Sequence, residues 1–450
     1  MRVRKASEAS GAGKEAPCPQ GRSRHGPRGR SVCQASGGKK ELLAVAFGLK
    51  TGWLRGVRRP RADMEEERPA RETAVITGGS GYFGFRLGCA LASQGLDVVL
   101  FDASEPPRPL PEGVRFVRGD VRDPSEVERA LRGATCVFHA ASFGMSGREQ
   151  LNRKRIEAVN VGGTRNVLRA ARAAGVRRLV YTSTYNVVFG GQVVRGGDES
   201  WPYLPLRLHP DHYSRTKALA EMAVLGADGA GREPLRTCAL RPAGIYGPGE
   251  QRHLPRIVRY VERGWFRFVY GDPESRVDFV HVDNLVQAHL LAAEALGPGK
   301  AHRAAGQAYF ISDGRPVNNF EFFRPLVEGL GYPFPALRLP LGLVYFLAFL
   351  TEMLHRAVGR LCDFQPLLTR TEVYKTGVTH YFSTEKARRE LGYEPRQHGL
   401  EDVVRWFRSR GHGRRAGGGA APRRWHRCAA ALLRLAAAII LMIITYCIFR

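Results

Sequence analysis

Thr73-Ala74-Val75-Ile76-Thr77-Gly78-Gly79-Ser80-Gly81-Tyr82-Phe83-Gly84 decides the fold. The stretch opens as an apolar, β-branched run, the composition of a buried strand. Gly78, Gly81 and Gly84 follow at intervals of three, and an amphipathic run from Phe85 to Ala92 continues as a helix. Strand, glycine turn and helix together make a phosphate-binding turn. Gly78 permits the tight turn, a side chain at Gly81 would block a pyrophosphate, and Gly84 lets helix and strand approach. The helix N-terminus adds free N–H groups and a partial positive charge. The spacing alone is weak, because 52 of 450 residues are glycine. A second apolar run, Asp97-Val98-Val99-Leu100-Phe101, strengthens it by ending in Asp102, about twenty residues on. An acid there binds both ribose hydroxyls of an adenosine and repels a 2′-phosphate, favouring NAD over NADP.

From Thr73 to about Arg241, strand-like and helix-like runs alternate. The strand candidates are Val75–Thr77, Val98–Phe101, Arg115–Val117, Cys136–His139, Leu179–Thr182 and Thr237–Leu240, with helices notably over Ile156–Ala174 and Ser214–Leu225. Alternation of this kind predicts an α/β fold, a Rossmann-type doubly wound parallel sheet with both faces covered. The dinucleotide-binding domain is assigned to 71–243. Residues 244–405 form mainly a smaller substrate lobe, partly discontinuous with the first domain.

The formal charge of +27 lies largely at the two ends. Residues 1–70 read as a disordered basic extension and 406–427 as a basic linker. Such tails are more often disordered or membrane-adjacent than readers of nucleic acid, and no nucleic-acid motif is present. The apolar run Leu42–Leu49 starts too far in for a signal peptide and lacks a cleavage site. Met64 could serve as an alternative initiator. The eight cysteines form no C-x-x-C and the histidines no zinc spacing, so no metal is expected and the pattern fits a reducing compartment. Leu341–Leu350 is apolar on all sides but too short to span a bilayer, so it reads as a buried or an interfacial helix. Residues 428–449 have the length and composition of a transmembrane helix, with a tail packed on the protein as the alternative. Arg423, Arg424 and Arg427 on its amino side predict a cytosolic body by the positive-inside rule.

Tyr213-Ser214-Arg215-Thr216-Lys217 carries the chemistry. On a helix Tyr213 and Lys217 share a face. A free phenol, with a pKa near ~10, is too weak an acid to serve as a base at neutral pH, and a nearby ammonium favours its ionised form. Tyr181-Thr182-Ser183-Thr184 ends a strand upstream and brings a hydroxyl beside the pair.

These motifs occur with Asp120-Val121, His139-Ala140-Ala141, Asn160-Val161-x-Gly163-Thr164, Arg241-Pro242-x-Gly244-Ile245-Tyr246-Gly247-Pro248 and Asp278-Phe279-Val280-His281-Val282-Asp283. Their order resembles that of extended short-chain dehydrogenase/reductases. Over about 73–405 the chain is most similar to the 3β-hydroxysteroid dehydrogenase branch, and within it to family 42E. The resemblance implies that Tyr213 is the acid/base, that Lys217 lowers its pKa and binds the nicotinamide ribose, and that Thr184 orients the substrate. Asn160 would support the active-site helix or its water. The implied cofactor set is Gly78, Gly81, Tyr82, Phe83, Gly84, Asp102, Asp120, Val121, Ala140 and Ala141, with Tyr213 and Lys217. Many relatives carry serine where Thr184 stands. His139 reads as a strand-end residue rather than a catalyst. The function implied is NAD-dependent oxidation of a lipophilic ring alcohol, a steroid or sterol, by a single-pass protein of the endoplasmic reticulum membrane with its body in the cytosol. Homo-oligomerisation stays open. A sugar-nucleotide epimerase or reductase, and a non-catalytic cofactor-binding membrane protein, are the alternatives.

Overall fold

The computed structural model describes residues 72–414 apart from 108, 146, 230–233 and 359–367. The extension assigned to 1–70 and the apolar stretch 428–449 lie outside the described residues. Among the described residues no helix is long and apolar enough to cross a membrane.

Seven parallel strands build the main sheet: β1 (Thr73–Thr77), β2 (Asp97–Asp102), β3 (Val114–Arg118), β4 (Cys136–His139), β5 (Arg178–Thr182), β6 (Arg236–Pro242) and β7 (Gln307–Ile311). Their order is β7-β6-β5-β4-β1-β2-β3, so the winding reverses between β1 and β4. The side chains of β1 show why the sheet is buried on both faces. Ala74 and Ile76 enter one core with Leu87, Leu91, Leu285 and Ala292, and Val75 enters the other with Val127, Val167, Ala171 and Val224. Helices α1 (Tyr82–Ser93), α2 (Pro124–Ala130), α3 (Arg153–Glu157), α4 (Thr164–Ala173), α5 (His212–Leu225), α6 (Leu254–Glu262) and α7 (Val282–Ala295) follow in chain order. Helices α1 and α7 cover the first face, while α2, α4 and α5 cover the second.

The smaller lobe holds two cores of its own. Leu254 and Val258 of α6 meet Leu326 and Leu330 around α8 (Asn319–Gly329), together with Val403 and Phe407. The helix carrying the last two runs Glu401–Ser409, and Arg414 N–H still donates to Leu330 O. The linker assigned to 406–427 therefore begins too early. Val403 and Phe407, one turn apart, form an apolar stripe that the surrounding arginines obscure. Within 244–405, read as partly discontinuous with the first domain, β7 pairs with β6.

Helix α9 (Leu341–Val358) extends the apolar run beyond Leu350. It buries Val344 and Ala348 against Val269, Tyr270 and Val373, and exposes Leu343, Phe346, Leu347 and Leu354. Neither sequence reading covers it whole: one face is buried in the lobe and another is bare.

Candidate active site

The glycine turn sits at the switch point, where the carboxyl ends of β1 and β4 diverge and open α/β sheets bind ligands. Gly78 has φ +73°, and a Cβ there would lie 2.8 Å from Ala141 N. Ala140 and Ala141 thus form a wall against the turn rather than merely lining it. A Cβ on Gly84 would overlap the carbonyl oxygen of Gly78. At Gly81 the nearest obstacle is that same oxygen at 3.1 Å, so the direction a ligand would use is open. Gly81 caps α1 without a side-chain bond, and no acid occupies the first turn. The N–H groups of Tyr82, Phe83 and Gly84 consequently lack intrahelical partners and suit an anion. Buried Ser80 Oγ and Tyr82 OH also have no hydrogen-bond partner. This cradle fits a dinucleotide pyrophosphate.

Asp102 ends β2 with its carboxylate fixed by two backbone donors, Ser80 N–H at 3.1 Å and Ser104 N–H at 2.9 Å. It stands at the loop edge, as a ribose-binding acid requires. Asp120 accepts from Arg122 Nε at 2.9 Å, and the Arg122 hydrogen bond is the main reason its carboxyl lies below the usual range. Val121 packs against Gly163, and its carbonyl accepts from Asn166 Nδ2 at 2.9 Å, which ties this loop to α4.

Helix α5 begins at Asp211, whose carboxylate accepts from Ser214 N–H at 2.7 Å. Tyr213 and Lys217 are both buried. Lys217 Nζ donates to Thr182 O at 2.5 Å and lies 4.2 Å from the Tyr181 ring centroid. The expected depression of the Tyr213 phenol by Lys217 is not what the protein alone displays. Burial pushes Tyr213 up to about 12, and the positive charge of Arg252 is the main influence against it. Lys217 itself is driven down to about 7 by burial, only partly offset by Glu221. An ammonium that is itself losing its proton near neutrality is a poor source of positive field. In this state the field comes instead from Arg252.

Thr184 Oγ accepts from Asn186 N–H at 3.3 Å and Asn186 Nδ2 at 3.0 Å. Asn160 occupies a π-helical turn, Ala158–Gly163, between α3 and α4. Its Oδ1 accepts from Phe143 N–H at 2.9 Å, and its Nδ2 reaches Phe143 O at 3.1 Å and Thr216 Oγ at 3.0 Å. It therefore couples the loop after β4 to α5 directly. His139 is buried between Thr77 Oγ at 2.6 Å and Thr164 Oγ at 2.8 Å, and burial lowers its pKa to about 3. That is the environment of a structural, neutral imidazole.

Sequence reasoning missed Arg252 and a buried ion pair. Glu221 Oε1 accepts from Arg241 Nη2 at 2.7 Å and Tyr203 OH at 2.7 Å, while Oε2 accepts from Ser183 Oγ. Glu221 lies one turn beyond Lys217, a spacing visible in the sequence, but nothing there announces Arg241 as its partner. His281, Asp283 and His398 bring ligand-type atoms within 4.8 Å of one another. Arg86 already bonds Asp283 at 3.0 Å, and the two imidazoles stack with centroids 3.8 Å apart.

A phenol and an amine one turn apart, buried beside a dinucleotide cradle on this sheet, define the class of short-chain dehydrogenase/reductases. Within that class the chain belongs to the 3-beta hydroxysteroid dehydrogenase/isomerase family, which it matches over residues 75–341. It is 68% identical over 360 residues to short-chain dehydrogenase/reductase family 42E member 1 of Bos taurus, covering 79% of this chain and 92% of that one. A 3-beta-hydroxysteroid dehydrogenase of Mycolicibacterium neoaurum is 38% identical over 326 residues, 71% of this chain and 86% of its own. The solved structure of MoeE5 in complex with UDP-glucose and NAD superposes with TM-score 0.56 at 25% identity, covering 75% of this chain and 99% of that chain.

Proposed function

We propose that the chain is a membrane-anchored oxidoreductase that uses NAD to oxidise a secondary hydroxyl on a lipophilic ring, a 3β-hydroxysteroid or sterol. The observation that carries this is the burial of Tyr213 and Lys217 on α5 beside the glycine cradle, in a chain of this family. NAD is the cofactor: the cradle fits its pyrophosphate, and Asp102 suits an unphosphorylated ribose. When bound, it supplies the hydride acceptor. Tyr213 takes the hydroxyl proton as the carbonyl forms, and Thr184, its lone pairs occupied by Asn186, keeps its O–H to donate to the substrate oxygen. Lys217 positions the ribose and the strand end at Thr182.

The steroid assignment is supported by the bacterial relative's name and by the basic-then-apolar tail. We read 428–449 as a single span that holds the body on the cytosolic face of the endoplasmic reticulum, where a lipophilic alcohol is concentrated. The exposed apolar side chains of α9 are compatible with that setting. The test is NADH production by the detergent-solubilised full chain from hydroxysteroids, sterols and UDP-sugars. Turnover confined to the sugars would overturn the steroid reading. Release of the full chain by alkaline carbonate would overturn the anchor.

A further inference from the structure

We infer that Lys375 is a positioning residue of this site: it crosses from the smaller lobe to the Asp211 carboxylate that caps α5, and neutralises that carboxylate two residues before Tyr213. The inference rests on the dehydrogenase reading above and deepens it.

The first N–H groups of α5 have no intrahelical partner, so the helix needs an acceptor at its start. Asp211 supplies it, with Oδ1 on Ser214 N–H at 2.7 Å and Oδ2 on the Ser214 hydroxyl at 3.0 Å. The same carboxylate opposes the phenolate that has to form at Tyr213. Lys375 Nζ donates to Asp211 Oδ2 at 3.0 Å, from 164 residues further along the chain. The pair is enclosed: the Asp211 side chain is 10% exposed and that of Lys375 19%, so water screens these charges weakly. Burial alone would raise the Asp211 carboxyl, but Lys375 and Ser214 outweigh it and hold the group below the usual carboxylate range, ionised.

Lys375 is fixed by the helix that carries it. Helix α10 (Arg370–Gly377) opens on a capping box, in which Thr369 and Glu372 each accept the other's backbone N–H. Its three charged side chains reach three different elements. Arg370 Nε donates to Glu352 on α9 at 2.9 Å, Glu372 accepts from Arg256 on α6 at 2.6 Å, and Lys375 takes Asp211. Val373 is buried in the lobe core between them. The other charges around Tyr213 are committed elsewhere. Arg252 favours the phenolate from the smaller lobe, the Tyr181 phenol lies near it on β5, and Lys217 Nζ is turned to Thr182 O. His212 and Arg215 face Glu157 at 2.9 and 3.8 Å. Burial holds His209 below its usual value, so it is neutral near pH 7. The charge on Asp211 is thus left to Lys375.

The experiment records kcat against pH for the detergent-solubilised full chain with Lys375→Met, Lys375→Arg, Asp211→Asn, and Lys375→Met combined with Asp211→Asn. Lys375→Met leaves the carboxylate unopposed. We expect kcat on the acid side to fall about 3–10-fold and the acid limb to move upward, with NAD affinity changed less than about twofold, while Lys375→Arg stays within about twofold of the unmodified chain. Asparagine still caps the helix but carries no charge, so Asp211→Asn should move the limb downward, and the double variant should return it near its original place. A helix merely loosened by these changes would lower kcat in every variant without that reversal of sign, and such a result overturns the role of Lys375. So does an acid limb that Lys375→Met leaves in place, or a loss that Lys375→Arg shares. If Lys375→Met fails to fold, Asp211→Asn and the double variant carry the same test. A second readout needs no substrate. In NAD⁺-bound protein carrying ¹³Cζ-tyrosine, the resonance absent from Tyr213→Phe should titrate at higher pH in Lys375→Met and at lower pH in Asp211→Asn. Should no hydroxysteroid or sterol be oxidised by the unmodified chain, the functional reading fails alone, and the tyrosine titration still decides for or against Lys375.

Discussion

At the scale of single residues, the site is a contest between burial and charge over one phenol. Burial wins in the free protein and leaves Tyr213 protonated near neutral pH. The reaction therefore depends on what the cofactor and Arg252 add. Tyr213→Phe keeps the ring's packing and removes the proton carrier. We expect turnover to fall by about 10²–10⁴-fold while NAD affinity changes less than about threefold, as measured by steady-state rates and calorimetry. Activity retained in that variant would remove Tyr213 from the mechanism. Asp102→Ala should narrow the NAD-over-NADP ratio of kcat/KM, because its carboxylate lies at the loop edge, fixed by Ser80 and Ser104. An unchanged ratio argues against a ribose contact. The pair Tyr213–Lys217 was legible in the sequence because one helical turn is a local fact. Arg252 was not, since it follows β6 outside the strand–helix alternation and only the fold brings its charge toward Tyr213. The protein alone does not display the expected Lys217 effect on Tyr213, for a related reason. Sequence spacing reveals that the two side chains share a face, but not that the ammonium is dehydrated and turned to Thr182 O.

At the scale of elements, the first strand, turn and helix behave as one rigid part. The Gly84 backbone rests against Gly78 so closely that a methyl group has no room. Gly84→Ala must push α1 away from β1. We expect a loss of about 1–3 kcal/mol in urea unfolding, with NAD binding weakened at least tenfold. A wild-type urea midpoint together with wild-type NAD affinity would contradict the packing argument. The six strands legible in the sequence are each found in the sheet; five are largely buried, while β3 at the edge is only partly covered. The seventh, Gln307-Ala308-Tyr309-Phe310-Ile311, is equally buried, but it follows a long excursion through the smaller lobe and has no local mark of rejoining the sheet. The segment Ile156–Ala174 was legible as helix, but its π-helical turn was not. Gly162 and Gly163 accommodate the widened turn, and Asn160 gains its inward aim from it. Which face of α9 would stay exposed was also beyond the sequence, because a run apolar on all sides carries no moment to indicate it.

At the scale of the whole molecule, stability should depend on acid through buried imidazoles. His139, His289 and His380 are fully enclosed, and burial holds them at about 3, 4 and 4, with His281 at about 4. Each is a base whose folded pKa lies below the unfolded value of about 6.5. Between those limits the unfolded chain binds protons that the native chain refuses. Their contribution is complete above about pH 6.5 and is lost as pH falls toward 4. Asp278 acts in the opposite sense. Burial raises its carboxyl to about 7, so below that pH the native chain holds a proton that the unfolded chain releases until about pH 4. Burial also raises Asp313 and Glu199, which adds to this opposing side. Burial lowers His253 and His209 as well, so the histidines outweigh the raised carboxyls and unfolding free energy should drop as pH falls from 6.5 to 5. Urea unfolding of the detergent-solubilised full chain at pH 7, 6 and 5 measures this. His289 links α7 to β5, with Nδ1 at Leu285 O and Nε2 at Thr182 Oγ, both 2.8 Å away. His289→Gln should cost stability at every pH and make the slope shallower by about one proton. Asp278→Asn removes the opposing group and should make the slope steeper by a similar amount. Stability that stays level or rises from pH 6.5 to 5 would show that the imidazoles accept protons without unfolding, and the neutral His139 bridge between Thr77 and Thr164 would then have to be redrawn.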